Sequence, residues 1–278
     1  YPVVAIGIVT STGEREVFLW DGESDRQVLV DFARFIKEYD PDVIYGYNLV
    51  GYDVPQILFR ASYHGMRNYK KLLNRDGSDY GWQPAENTDD LRMKAGGRVI
   101  VDLLRHTRLD YALSGQPRGL KPVSKHFGLE PIELDFNGKV LLDYELSEIH
   151  DYVLSDVDCT KFLFDHYFPR MEFTAEFIGV PLETFINAPA SYVTKILQGR
   201  ALFEQKILTP EVNRDRHPDI YREDKGNYQA AKIDLFEPGF HKKNIKVDFS
   251  SYYPSIAMAL NLGPDTTRIV GYDDYSDK

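Results

Sequence analysis

"DVIYGYNLVGYDVPQIL" (residues 42–58) runs from a strand through a turn into the start of a helix. Val43, Ile44 and Tyr45 form a short β-branched and aromatic run, the composition of a buried strand. "VPQILFRASYHG" (54–65) then reads as a helix, with Pro55 in its first turn and Gly65 as its stop. Asp53 stands at the junction. Its position alone makes it a helix N-cap; chemically, a carboxylate at the end of a strand is also a candidate metal ligand.

The flanking sequence extends this strand–helix alternation. "VVAIGIVT" (3–10) and "EREVFLW" (14–20) are β-rich runs joined by "STG", a hairpin. In "ESDRQVLVDFARFIKEYD", Val28, Leu29, Phe32, Ile36 and Tyr39 recur at helical spacing behind a Ser24/Asp25 cap, ending before Pro41. Residues 74–97 are a polar, Gly-rich insertion, and "RVIVDLL" (98–104) is a further strand. "SEIHDYVLSDVDCTKFLFDHYF" (147–168) predicts a long helix with Ile149, Val153, Val157 and Phe164 on its apolar stripe. A helical segment follows over 170–207, then a Pro-punctuated polar stretch (209–227), and the last fifty residues return to β character. Strands alternating with helices after an opening hairpin predict an α/β protein with a mixed sheet.

Composition narrows the function. The 278 residues carry a net charge of −10, which speaks against a general electrostatic grip on nucleic acid and leaves room for clustered carboxylates. The single cysteine, Cys159, excludes a disulfide framework and a thiolate metal site, and the expected compartment is reducing. No apolar run of about 18 residues and no signal peptide are present, so the expectation is a soluble, intracellular protein. The first residue is Tyr1 and the first methionine is Met66, which reads as a fragment or a processed piece.

Three constellations carry chemistry. Asp53 is the first. Tyr152 and Asp156 are the second: standing at i, i+4, they share one helix face, where a phenol and a carboxylate can bind a metal and orient water. A half-buried tyrosine beside a solvated aspartate is the plainer account of that pair. Asp158 points elsewhere, as surface charge. Two-metal phosphodiester chemistry, with ions about 3.5–4 Å apart, needs several carboxylates from different elements. Asp53 and Asp156 supply two, and oxygen ligands without a Cys or His cluster suit magnesium or manganese rather than zinc. The third is "NIKVDFSSYYPSI" (244–256): Asp248 ends a plausible strand, and the turn after it presents backbone N–H groups able to cradle a triphosphate.

The order and spacing of these motifs resemble the family B DNA polymerases with their attached 3′–5′ proofreading exonuclease. "DFSSYYPSI" (248–256) is similar to the family's first polymerase motif, and "NLGPDT" (261–266) to the segment that the family carries after that motif. "YNLVGYDVP" (47–55) and "YVLSD" (152–156) resemble the second and third exonuclease motifs, and "NYQAAKIDLFEPG" (227–239) the junction before the palm. The resemblance implies a ribonuclease-H-like mixed-sheet exonuclease domain (1–169), a helical connection with a polar linker (170–227), and the first part of an α+β palm (228–278). It implies that Asp248, assisted by the Phe249 carbonyl, binds the two magnesium (or manganese) ions of nucleotidyl transfer. Ser251 and Tyr252 then offer backbone N–H groups to the incoming dNTP, and Tyr253 is a steric gate under its sugar. In the exonuclease, Asp53 and Asp156 hold metals, Tyr152 orients water, and Asn48 contacts the single-stranded 3′ end. Tyr228 helps track the primer–template. Asp102 matches an aspartate of the family's exonuclease strand and is assigned no metal.

Departures accompany the matches. The family's first exonuclease motif, Asp-x-Glu, is missing, and its carboxylates are expected just upstream of Tyr1. "DGE" (21–23) imitates it from a turn and is read as a decoy. Tyr252 replaces a leucine, and Ala230-Ala231 a glycine pair. The later polymerase motifs are absent, so each metal site is half complete and the piece alone is expected to be inactive. The partners implied are primer–template DNA, the single-stranded 3′ end, dNTPs, the remaining polymerase domains in cis or in trans, and a sliding clamp, with no membrane. The location implied is the cytoplasm and nucleoid of a prokaryote or the nucleus of a eukaryote. A catalytically inactive relative or split subunit with a structural or DNA-binding role is the alternative. A stand-alone exonuclease fits less well, since it has no use for residues 228–266.

Overall fold

The computed structural model describes residues 2–82, 91–189, 191–207, 239–240, 242, 245 and 247–262. The chain divides into two compact units, Tyr1–Pro210 and Glu211–Lys278.

In the first unit the predicted hairpin forms. Strands β1 (Ala5–Val9) and β2 (Arg15–Leu19) pair antiparallel, with Gly7 opposite Val17. Gly13, at φ +87°, supplies the left-handed turn residue between them. Helix α1 (Arg26–Tyr39) buries Val28, Leu29, Ala33 and Ile36, while Tyr39 is on the surface. Its N-cap is Asp25, but the expected capping hydrogen bond is not made. The buried Asp25 carboxylate instead receives the Val3 N–H at 2.8 Å, two Arg60 nitrogens at 2.7 and 2.6 Å, and lies 2.6 Å from His64 Nε2. Burial acts to raise its pKa, but hydrogen bonds from Arg60, Val3 and His64 and the Arg60 charge prevail and hold it well below the usual carboxylate range.

Strand β3 (Val43–Gly46) pairs in parallel with β4 (Val99–Asp102), matching Val43 to Val99, Ile44 to Ile100, Tyr45 to Val101 and Gly46 to Asp102. The period of two divides these residues between two cores. Ile44 and Ile100 join the cluster of α1 and α2 (Val54–Tyr63). Val43, Tyr45, Val99 and Val101 join a second cluster with Leu113, Val123, Leu163 and Met171. Both faces of the pair are covered, which is why both strands read as continuous apolar runs. The expected α/β class holds, but among the described residues the strands form two separate two-stranded sheets, one antiparallel and one parallel, rather than a single mixed sheet.

After α3 (Tyr69–Leu73), the expected insertion is organised by Asn74. Its amide bonds the Ser78 and Tyr80 carbonyls, the Trp82 indole and the Gly96 N–H, which lets Trp82 and Met93 be buried. The strand predicted over 98–104 stops at Asp102, and α4 (Leu103–Leu109) starts at once; α5 (Leu120–His126) follows.

The long helix α6 (Leu146–Ile178) exceeds its prediction by about three turns, running through Pro169 to a left-handed Gly179. The position expected to end the exonuclease domain, 169, lies inside it. Ile149, Cys159, Leu163, Met171, Ala175 and Ile178 are its buried residues. Val153 and Val157 lie against β1, where a Cβ added to Gly7 would stand 2.5 and 2.6 Å from their methyl groups. Phe164 stacks on Tyr45 of β3 at 3.9 Å. Asp158, expected as free surface charge, meets Arg15 of β2 at 2.7 Å. Helices α7 (Leu182–Ile186) and α8 (Tyr192–Glu204) complete the described part of the unit. Among the described residues no helix is long and apolar enough to cross a membrane.

In the second unit the described residues include a helix, α9 (Tyr252–Ala259), and most of the stretch expected to have β character lies outside the described residues. Pro254 is in its first turn, where proline's missing N–H is no loss, and the backbone bond from Ser255 to Ser251 closes that turn.

Removing Asp25 leaves the half-buried Arg60 guanidinium, and the Val3 N–H, without their partner. Asp25→Ala should lower unfolding free energy by about 3–5 kcal/mol at pH 7, measured by urea titration. The folded pKa is depressed, so this contribution is complete above roughly pH 4 and lost only in strong acid. A loss below about 1 kcal/mol would contradict the ion cluster's role.

Candidate active site

The carboxyl ends of a parallel pair are where loops carry ligands, and here those ends are Gly46 and Asp102. The chain turns sharply after Gly46, whose missing Cβ would lie 2.9 Å from Leu49 Cβ. Asn48 adopts φ +62°, and Leu49–Asp53 form a single π-helical turn before α2. Such turns leave N–H groups without helical partners. Asp102 takes two of them: its Oδ1 accepts from Asn48 N at 3.0 Å and its Oδ2 from Val50 N at 2.8 Å. Oδ1 also caps α4 through Leu104 N at 3.0 Å. Gly51 is required by its neighbour, since a Cβ there would stand 2.4 Å from Asn48 Oδ1.

Asp53 is carried at the end of that turn. It makes no side-chain cap for α2, so the N-cap account of this aspartate does not hold. Among the described residues it has no ion-pair partner. Burial and the neighbouring charge of Asp102 push its pKa up to about 7. A desolvated carboxylate without a cation is a costly feature to keep, and it fits a cation-binding role.

Tyr152 and Asp156 share one face of α6, as the spacing predicts. Burial raises the Asp156 pKa in spite of three interactions that lower it: the Lys121 hydrogen bond, the Lys121 charge and a hydrogen bond from Tyr152. Burial, the charge of Asp156 and the hydrogen bond to it push the Tyr152 phenol up to about 12, so it remains a donor at neutral pH. Lys121 was not foreseen. Its ammonium, near the start of α5, bonds Asp156 Oδ1, donates to the Ile132 carbonyl at 2.6 Å, and lies 4.3 Å above the Tyr152 ring. A lysine within "GLKPVS" gives no signal of this; only the packing of α5 on α6 brings it there.

The two halves are not joined into a metal cage. The charge acting on Asp53 comes from Asp102 and that acting on Asp156 from Lys121. Among the described residues no three Asp, Glu, His or Cys side chains converge. The "DGE" segment behaves as a turn, with Asp21 Oδ1 accepting from the N–H groups of Glu23 and Ser24.

In the second unit Asp248 is exposed, as are Phe249, Tyr252 and Tyr253. Ser251 is the left-handed N-cap of α9, so the free N–H groups of that helix adjoin the Ser250–Ser251 turn. The Phe249 and Tyr252 rings lie 5.3 Å apart, and those of Tyr252 and Tyr253 5.8 Å apart. Tyr228 lies outside the described residues.

The exonuclease-domain model of DNA polymerase family B matches residues 10–123, and the DNA polymerase family B model matches residues 183–274. A DNA polymerase of Pyrococcus horikoshii is 28% identical over 256 residues, which is 91% of this chain and 20% of that protein. The DNA polymerase delta catalytic subunit of Glycine max is 27% identical over 260 residues, covering 86% of this chain and 23% of the relative. The solved family B DNA polymerase of Pyrobaculum calidifontis superimposes with a TM-score of 0.66 at 26% identity, over 98% of this chain and 34% of that one. The described fold is thus similar to that of a family B polymerase with its exonuclease domain. The chain belongs to DNA polymerase family B, and it spans about a fifth to a third of the length of these relatives.

Asp53 yields a signed prediction. Its folded pKa is raised from 3.8 to about 7, so the ionised native state is penalised above pH 7 and relieved as pH falls toward 4. In EDTA, Asp53→Asn should therefore be more stable than wild type at pH 8, by up to about 4 kcal/mol. The gain should vanish near pH 4. Urea titrations at both pH values give the comparison, and equal stability at pH 8 would refute the desolvated carboxylate.

Proposed function

We propose that this chain supplies the 3′–5′ proofreading exonuclease and the beginning of the palm of a template-directed DNA polymerase. The observation that carries the reading is Asp53: a half-buried, desolvated carboxylate with no cation partner among the described residues, on the turn that follows the carboxyl end of a parallel strand. Residues 1–169 are assigned to the exonuclease, 170–227 to the connection and linker, and 228–278 to the palm.

Asp53 and Asp156 hold magnesium or manganese in the exonuclease, as hard oxygen donors suited to hard cations. They are part of a cage rather than the whole of one. Such ions, when bound, activate water and stabilise charge on the phosphodiester. Tyr152, kept protonated by its raised pKa, orients the attacking water. Asn48 binds the nucleotide at the single-stranded 3′ end, its amide fixed over Gly51. In the palm segment Asp248 and the Phe249 carbonyl are the metal ligands for synthesis. Ser251 and Tyr252 offer N–H groups to the dNTP, Tyr253 excludes a 2′-hydroxyl, and Tyr228 contacts the primer–template. The remaining polymerase domains and a sliding clamp are the protein partners, and the protein works where DNA is held, in a nucleoid or a nucleus.

A second reading, a catalytically silent relative with a DNA-binding role, draws on one observation. Lys121 already neutralises Asp156, where a metal would otherwise be held.

The readings separate in an assay of the polymerase that carries this sequence, with labelled primer–template, magnesium, and dNTPs added or omitted. Asp53→Ala should lower 3′–5′ degradation at least about 100-fold and spare primer extension, the size expected when a metal-organising carboxylate is removed. Asp248→Ala should do the reverse. Loss of both activities in either single variant would overturn the two-site assignment, and their absence in wild type would favour the silent relative.

A further inference from the structure

Asp102 has no chemical role in the function proposed above, yet it is among the most buried charged groups of the described residues, at 2% exposure. Burial raises its pKa against the bonds from Val50, Leu104 and Asn48. With three N–H donors at 2.8–3.0 Å, its two oxygens keep little free lone-pair capacity for a cation. What the carboxylate does hold is specific. Asn48 is a non-glycine residue at φ +62°, in the left-handed region that few side chains other than Asn and Asp adopt. The π-turn behind it is a short element that does not persist by itself. Asp102 satisfies the N–H at the left-handed residue and a second one inside the turn, from a strand end fixed in register with Gly46.

We propose that Asp102 is a positioning residue for this site: its carboxylate holds residues 48–53 in the turn that sets Asn48 and Asp53, and takes no metal itself. The conformational half of this stands alone. The metal half rests on the exonuclease reading. Besides the direct effect of its charge, Asp102 acts on Asp53 through the backbone, as a second-layer carboxylate acts on a metal ligand through its orientation. Because the same oxygen caps α4, the start of that helix and the Asn48 turn are locked by one group.

The test measures amide exchange and manganese affinity on the full chain. Asp102→Asn keeps an acceptor but turns an NH2 group toward one of the N–H donors. It should speed exchange at Asn48 and Val50 by about tenfold or more, leave the 152–156 segment of α6 unchanged, and weaken manganese binding about 10–100-fold. Arg98→Met is the control. Arg98 is equally buried, at the opposite end of the strand, and donates to the Leu73 and Ile36 carbonyls. It should lower global stability without changing manganese affinity. The proposal is overturned if Asp102→Asn leaves exchange in 48–53 unchanged, or if Arg98→Met reproduces both effects, which would make the role merely structural. It also falls if manganese binding is lost while the turn exchanges as in wild type, since Asp102 would then be a ligand. If Asp53→Ala leaves manganese binding intact, the exonuclease reading has failed, and the exchange data alone decide the positioning role. Should Asp102→Asn not fold, wild type decides: the Val50 amide should be protected at least about 100-fold, and free exchange there would overturn the proposal.

Discussion

Val43 to Gly46 lie beside Val99 to Asp102 in one parallel register, and that pairing fixes most of what surrounds it. Alternation along both strands sends Ile44 and Ile100 into one core and Tyr45 and Val101 into the other. A slip of one residue would exchange the two faces, placing the large Tyr45 ring where Ile44 now fits and removing its stack on Phe164 of α6. The same slip would separate Asp102 from Gly46, and so from the turn its carboxylate holds. Core packing and site geometry are thus set by one constraint.

Three carboxylates in the first unit show three answers to the problem of burying a charge. Asp25 is matched by Arg60 and His64 and sits far down the pKa scale. Asp102 is matched by N–H dipoles alone, and desolvation still lifts its pKa. Asp53 is matched by no cation among the described residues and is lifted furthest of the three. Buried charges that are compensated serve the fold, whereas one left uncompensated is the stronger functional candidate. Asp156 stands between them: Lys121 compensates it, and α5 and α6 are tied together in doing so.

The segment around Asp248 contrasts with this. Asp248, Phe249 and Tyr253 are exposed, and the left-handed Ser251 followed by α9 is a local arrangement that needs no distant partner. Ser251 makes no side-chain capping bond to this short helix, and Pro254 in its first turn costs it no hydrogen bond.

Residues close in sequence determined much of this protein. The hairpin over 3–20, α1, the strand at 43–46, α2 with its Pro55 start and Gly65 stop, and the shared face of Tyr152 and Asp156 all follow from period, capping and turn chemistry. The family resemblance lies in the same short motifs. Other features were settled only by residues far apart in sequence. Asp25 reads as a cap, but Arg60 and His64, more than thirty positions away, offer stronger partners than one helix N–H. The long helix is expected over 147–168, yet α6 continues through Pro169 to Ile178, where Met171, Ala175 and Ile178 are buried. Asp53 reads as a cap and makes none. Nothing near Lys121 in sequence points to Asp156, yet the two meet across 35 positions, and Asp102 meets Asn48 across 54. Local propensity is a matter of tenths to about one kcal/mol per residue, whereas placing a buried charge is worth several. The sequence therefore decides where elements start and stop, and the tertiary structure decides which charges meet.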